Sequence, residues 1–274
     1  MADLEAVLAA ADTWGAEHTA VAVIGPTGVL ASRGDSTAVF RWASVTKMVT
    51  ALTVLVATER GLLTLDEPAG PPGSSVRHLL AHASGLVFDG SLTLATPGTR
   101  RIYSNAGFDV LGALVAERAG APFDAALESF VLGPLAMTRT RLLERPSQGL
   151  HGPLADLAAL GRELLRPRLV SAPLFGLATT VAFPGLVGLL PGVGRFDPLD
   201  WGLGFEIHDG KRPHWMGDRN SPAAYGHFGG SGTSLWVDPV ADLALAVLTD
   251  RDFGPWALEV WPGFSDHVLE AAAG

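Results

Sequence analysis

The sequence predicts an α+β fold: one antiparallel β-sheet backed by helices from both ends of the chain, with a mostly helical lobe inserted between its two parts. Three observations carry this reading. Strand-like stretches lie near the N-terminus and again beyond residue 200, while the pattern between them is mainly helical. Residues 45–60 (VTKMVTALTVLVATER) carry neither proline nor glycine and are apolar on nearly every side, the signature of a helix buried all round. The chain therefore reads as a single domain, 1–274, with an α/β part at about 1–60 and 200–274 and a helical lobe at about 61–199.

In chain order, residues 3–17 form a first helix. Stretches 19–24 and 29–32 flank a Gly-Pro-Thr-Gly turn and make a β-hairpin. The buried helix follows, with Gly61 as its stop. A Pro/Gly-rich loop at 66–74 leads to a short helix at 76–82, and residues 86–99 are loop. Helices are expected at 104–120, closed by Gly120, at 122–131, and at 153–166, where Pro153 suits a first turn. The segment 170–200, rich in Pro, Gly and apolar residues, has no clear period. Strands are expected at 201–208, 224–228, 233–237 and 243–249, and a closing helix at 256–271.

Composition narrows the function. With 48% hydrophobic and 17% charged residues, the 274-residue chain can bury a large core. A net charge of −9 and no basic tract argue against nucleic acid as partner. There is no cysteine, hence no disulfide or thiolate chemistry, and no apolar run long enough for a membrane span. The first 18 residues hold acids and no base, unlike a secretory leader, so a cytoplasmic protein is expected. Oligomeric state is not legible.

Ser44 stands at the start of the buried helix and Lys47 three residues on, so the two share a face. The only lysines are Lys47 and Lys211; the other basic residues are arginine. A desolvated lysine can lose its proton and act as a base, which arginine cannot. On these residues alone, a base at Lys47 and a lysine snorkelling to the surface both remain open. Tyr103-Ser104-Asn105 supplies one of only two tyrosines: either a proton relay with lysine, whose ammonium would stabilise a phenolate, or a loop residue ahead of an N-cap serine. Gly226-His227-Phe228-Gly229-Gly230-Ser231-Gly232 leads into a strand, either as a place for close backbone approach to a ligand or as a plain hairpin end.

Together, Ser44-x-x-Lys47, Tyr103-Ser104-Asn105 and His227-Phe228-Gly229 resemble the three motifs of the serine β-lactamase and penicillin-binding-protein superfamily. The form is that of the class C-related serine hydrolases, which include family VIII carboxylesterases and D-aminopeptidase-like enzymes. LLAHASGL at 79–86, WGLGFEI at 201–207 and GHFGGSGTSLWVDP at 226–239 add to the likeness, which spans about residues 20–250. The resemblance implies a β-lactamase-like fold and an acyl-enzyme mechanism. Ser44 would be the nucleophile, Lys47 and Tyr103 the proton-transfer pair, and the amides of Ser44 and Gly230 the oxyanion hole. Asn105, His227, Phe228 and Gly229 would contact substrate, with no metal and no cofactor. The implied substrate is a small-molecule ester or amide: a carboxylesterase first, a D-amino-acid amidase or peptidase and a β-lactamase as alternatives, and a non-catalytic ligand sensor or scaffold as the reading from another class.

Three departures qualify the likeness. His227 replaces the third-motif lysine, removing the usual cation beside a substrate carboxylate, with Arg219 a candidate substitute. The middle lobe is short, and the secretory leader of a cell-wall enzyme is not evident. The uncharged stretch 174–193 is expected to line the cleft or to be buried against a second copy. Histidines 78, 82, 151, 208, 214 and 267 read as loop or cap residues. No Gly-x-Ser-x-Gly elbow, phosphate-binding loop or His-Glu-x-x-His motif competes.

Overall fold

A computed structural model describes residues 2–274. α1 (Ala2–Leu8) continues as a 3₁₀ turn and leads into β1 (Thr19–Gly25), β2 (Gly28–Arg33) and β3 (Val39–Arg41). The buried helix is α2 (Thr46–Glu59), followed by α3 (Val76–Leu80), β4 (Arg101–Ile102), α4 (Asn105–Ala119) and α5 (Phe123–Leu127). Then come β5 (Arg141–Leu142), β6 (Leu150–Pro153), α6 (Leu154–Leu165), α7 (Ala172–Ala178), β7 (Gly188–Leu190) and β8 (Gly194–Phe196). β9 (Glu206–Ile207), β10 (Tyr225–Gly229), β11 (Thr233–Asp238), β12 (Leu243–Thr249) and α8 (Pro255–Ala273) complete the chain.

The main sheet has six strands in the order β2-β1-β12-β11-β10-β9, with antiparallel pairing throughout. It separates two apolar cores because strand side chains alternate faces. On β1, Ala20, Ala22 and Ile24 join the core containing α2 and α6, while Val21 and Val23 join the one containing α1 and α8. Trp236 and Leu235 divide in the same way on β11. α2 is buried on every side, as its composition requires.

α4 is set by local chemistry at both ends. The Ser104 hydroxyl accepts the Gly107 N–H at 3.0 Å, and Gly120 closes the helix in the left-handed region at φ 63°. The segment 170–200 resolves into α7 and the β7–β8 hairpin, and β7 pairs in parallel with β4. Of the strand expected over 201–208, only β9 forms. Gly204 takes φ 96°, and the Gly202 N–H turns back to the Phe205 carbonyl, so the first half is a tight loop.

Candidate active site

The turn entering α2 is strained. Ala43 sits at φ 45°, in the left-handed region that costs a non-glycine residue about 1 kcal/mol or more. Two side-chain bonds fasten this turn to the main sheet: Thr233 Oγ1 donates to the Trp42 carbonyl at 2.9 Å, and Ser231 Oγ to the Arg41 carbonyl at 2.6 Å. The approach is so close that a Cβ at Gly229 would collide with the Trp42 carbonyl oxygen, so β10 ends on glycine for a steric reason. Gly229 still pairs with Thr233, whereas Gly230 lies beyond the ladder and lines a cavity of about 240 Å³ with Ser44.

That cavity is walled by Tyr103, His227, Phe228 and Phe253 on one part and by Leu190, Pro191 and Gly192 on another. Of the uncharged 174–193 stretch, only Leu190, Pro191 and Gly192 line this cleft; Phe175, Ala178 and Leu186 are buried in the core containing α2. Ser44, half-buried, opens onto this space.

Lys47 lies beneath it, fully buried. Its Nζ donates to Ser44 Oγ at 3.2 Å, to Asn105 Oδ1 at 2.6 Å and to the Ser147 carbonyl at 2.9 Å, and sits 4.8 Å from the centre of the Tyr103 ring. All its acceptors are neutral. Burial pushes the ammonium from 10.5 down to about 7, against the pull of Asp109 and Asp89, with Arg145 pushing it further down. Lys211 is buried as well, so burial alone does not set Lys47 apart. Lys211 donates to the Ile207 carbonyl and stands 3.7 Å from the Glu206 carboxylate, which also takes His214 and the Trp215 indole. Lys47 has no carboxylate in contact among the described residues.

Tyr103 is buried. Burial drives its hydroxyl well above the ordinary phenol value, only partly offset by the Ser44 hydroxyl, so it is a neutral phenol and not a phenolate. Its O–H lies 3.2 Å from His227 Nε2. His227 Nδ1 lies 2.6 Å from the Phe228 carbonyl, which can only accept, so Nδ1 carries the proton and Nε2 accepts from Tyr103. Burial and the nearby Lys47 push His227 down to about 3, hence neutral through the physiological range.

The structure therefore places Ser44, Tyr103, His227, Phe228 and Gly230 around one cavity, with Lys47 and Asn105 buried beneath Ser44, where Asn105 holds the amine and lines no part of the cavity, and Gly229 as a packing residue behind it. Arg219 is elsewhere: it pairs with Glu270 on α8 and lines no part of the cleft. His82, His208 and His214 lie in loops, as expected, but they are buried. His82 accepts the Ser104 N–H and lies against Tyr103 at 4.5 Å between ring centres. Three further contributors are Ser147, Asp109 and Trp201; none was singled out as a site residue, although Trp201 opens the WGLGFEI stretch. Asp109 stands one turn after Asn105 on α4 and accepts the Ser147 N–H, and Trp201 packs edge-on against both Tyr103 and His227.

A family model described as Beta-lactamase matches residues 15–266. The chain belongs to the β-lactamase family. A β-lactamase from Mycobacterium bovis is 53% identical and superposes with a TM-score of 0.96 over 97% of this chain and 99% of that one. Esterase EstB of Burkholderia gladioli is 33% identical over 36% of this chain and 37% of its own length. An N-acetylmuramyl-L-alanine amidase of Bacillus subtilis is 24% identical over 58% and 46%. The chain spans less than half the length of these two curated relatives. This β-lactamase-family chain has the α+β fold that its three motifs imply, and no helix among its described residues is long and apolar enough to cross a membrane.

Proposed function

We propose that this chain is a serine hydrolase that cleaves small neutral esters through an acyl-enzyme at Ser44. The carrying observation is Lys47: a buried amine poised near neutrality, with its Nζ 3.2 Å from the Ser44 hydroxyl at the floor of a cavity. A base works best when its pKa lies near the working pH. In the neutral fraction, the Lys47 lone pair takes the Ser44 proton as Oγ attacks the ester carbonyl. The ammonium then formed is held by Asn105 and the Ser147 carbonyl. Tyr103, a neutral phenol, gives its proton to the departing alkoxide and recovers one from Lys47; water reverses these transfers to release the acid. The amides of Ser44 and Gly230, two residues that line the cavity, are the proposed donors to the oxyanion, each typically worth about 10²–10³ in rate.

The neutral His227 and the apolar walls favour an uncharged ester, and the partial likeness to EstB agrees. A second reading, β-lactam hydrolysis, draws on the likeness to the Mycobacterium bovis protein. The amidase likeness is weaker and supports an amide substrate only as a variant of the same chemistry.

The test is intact mass after exposure to a fluorophosphonate, with the adduct mapped by peptide sequencing. The expected result is one adduct, on Ser44, with Ser44→Ala folded but unlabelled and inactive toward p-nitrophenyl butyrate. Ester turnover by the folded alanine variant would overturn the serine mechanism.

A further inference from the structure

A second cavity, about 330 Å³, joins the first along a shared wall of Phe88, Tyr103 and Pro191. Its base is the small sheet of β4, β7 and β8, and the register there decides what enters it. Leu189 pairs with Ile102 on one side and Arg195 on the other, so these three side chains form one row on one face. Arg100 precedes Ile102 by two residues and falls on the same face by strand alternation. Arg101 also adds atoms to the cavity wall, but strand alternation sends its side chain to the opposite face. It is buried and donates to the carbonyls of Ala81, Ala182, Phe183 and Leu199.

Arg100 and Arg195 have no such commitments. Both are exposed, both line the cavity, and neither meets a carboxylate among the described residues. Among the described residues, some arginines of this acidic chain are met by acids, Arg77 by Asp66, Arg118 by Glu67 and Arg166 by Asp242, and others such as Arg139 and Arg162 are not; what sets Arg100 and Arg195 apart is that both line one cavity. Two unneutralised cations at one cavity repel each other and lower the cost of placing an anion between them. The apolar part of the wall is unusually open too. Phe88 is 48% exposed, Leu189 61% and Leu94 64%, all lining the same space.

We propose that this second cavity binds a carboxylate-bearing arm of the substrate: an apolar chain lying along Phe88, Leu94 and Leu189, ending in an anion held by Arg100 and Arg195. The anion sits one cavity away from the reacting carbonyl, so it belongs to a long substituent, and does not replace the cation missing at His227. This rests on the ester-hydrolase reading of the Ser44 site and changes its substrate from a small neutral ester to a longer one, uncharged beside the reacting carbonyl and anionic at its far end.

The experiment compares kcat/KM for mono-p-nitrophenyl glutarate with p-nitrophenyl valerate, which has the same carbon chain and no charge. A second pair, 4-carboxyphenyl valerate and phenyl valerate, puts the carboxylate on the leaving group. In Arg100→Gln/Arg195→Gln the charged-to-neutral ratio should fall about tenfold or more for one pair, which also says which side of the ester enters the cavity. In the wild type, added salt should lower the same ratio. Ratios unchanged for both pairs would overturn the proposal. If the wild type hydrolyses none of the four esters, the ester-hydrolase reading fails separately. Calorimetric binding of monobutyl glutarate to Ser44→Ala, with and without the arginine substitutions, then decides: weaker binding without the arginines supports the cavity, and equal binding overturns it.

Discussion

Asn105 and Asp109 stand one turn apart on α4 and converge on the same amine. Asn105 Oδ1 accepts directly from Lys47 Nζ at 2.6 Å; Asp109 accepts the Ser147 N–H at 3.2 Å, and the Ser147 carbonyl accepts from Lys47 at 2.9 Å. Arg145 closes this support, with its guanidinium 3.1 Å from Asp109 and 2.8 Å from Asp89. One helix face thus aims the base and sets part of its charge balance.

The first prediction follows from the opposite signs of those charges. Asp109 favours the Lys47 ammonium and Arg145 opposes it. Asp109→Asn should therefore move the acid limb of kcat/KM to lower pH, and Arg145→Gln should move it to higher pH. Asp109→Ala also loses the acceptor for Ser147 and should cost roughly ten- to a hundred-fold in kcat through misplacement of the amine. The measurement is a pH–rate profile of each variant with p-nitrophenyl butyrate. Limbs that shift in the same direction would mean that the two side chains act only through folding.

Lys47 carries the second prediction, in activity and in stability. Activity needs the neutral amine, so kcat/KM should rise about tenfold per pH unit up to about 7 and then level. Lys47→Arg should lose about 10²-fold or more, as Lys47→Ala does, because guanidinium keeps its proton. In the unfolded chain the amine stays protonated to about its ordinary 10.5; in the fold it loses its proton near 7. Between those values the unfolded state binds more protons, so stability rises with pH, by up to about 1.4 kcal/mol per unit from this group. Urea midpoints of wild type against Lys47→Met between pH 7 and 9.5 check it: the pH-dependent gain should vanish in the methionine variant.

How much of this was legible in the sequence depends on what kind of contact does the work. α2 and α4 were readable because their information is local: an unbroken apolar run, a serine cap and a glycine stop. The convergence of Ser44, Lys47, Tyr103 and His227 on one cavity was readable from motif order. Ser147 was not, since it contributes a backbone carbonyl, which any residue type could supply. The β7–β8 hairpin was missed because its strands are three residues long and pair with residues 101–102, far away in sequence. Tyr103 was read either as a proton relay or as a loop residue; that burial keeps its hydroxyl protonated was not visible. Burial could not be read from a three-residue motif.

The last prediction separates the two substrate readings. Nitrocefin carries its carboxylate beside the lactam nitrogen, so the anion must sit next to the reacting centre, within reach of His227 and Phe228. His227 cannot meet it with charge: burial holds the imidazole neutral down to about pH 3, and its Nδ1–H is already given to the Phe228 carbonyl. Arg219 is paired with Glu270, away from the cleft, and Arg100 and Arg195 face the neighbouring cavity. A missing charge-assisted contact of about 1.5–3 kcal/mol corresponds to roughly ten- to a hundred-fold in kcat/KM. Hydrolysis of p-nitrophenyl butyrate should therefore exceed that of nitrocefin by at least that factor, and the gap should persist from pH 6 to 9 because no group facing the nitrocefin carboxylate gains a positive charge there. The comparison needs only the wild-type protein and two chromogenic assays. Nitrocefin turnover equal to the ester's would sink the neutral-ester reading and favour the β-lactam one, and a cation would then have to be sought within reach of Phe228.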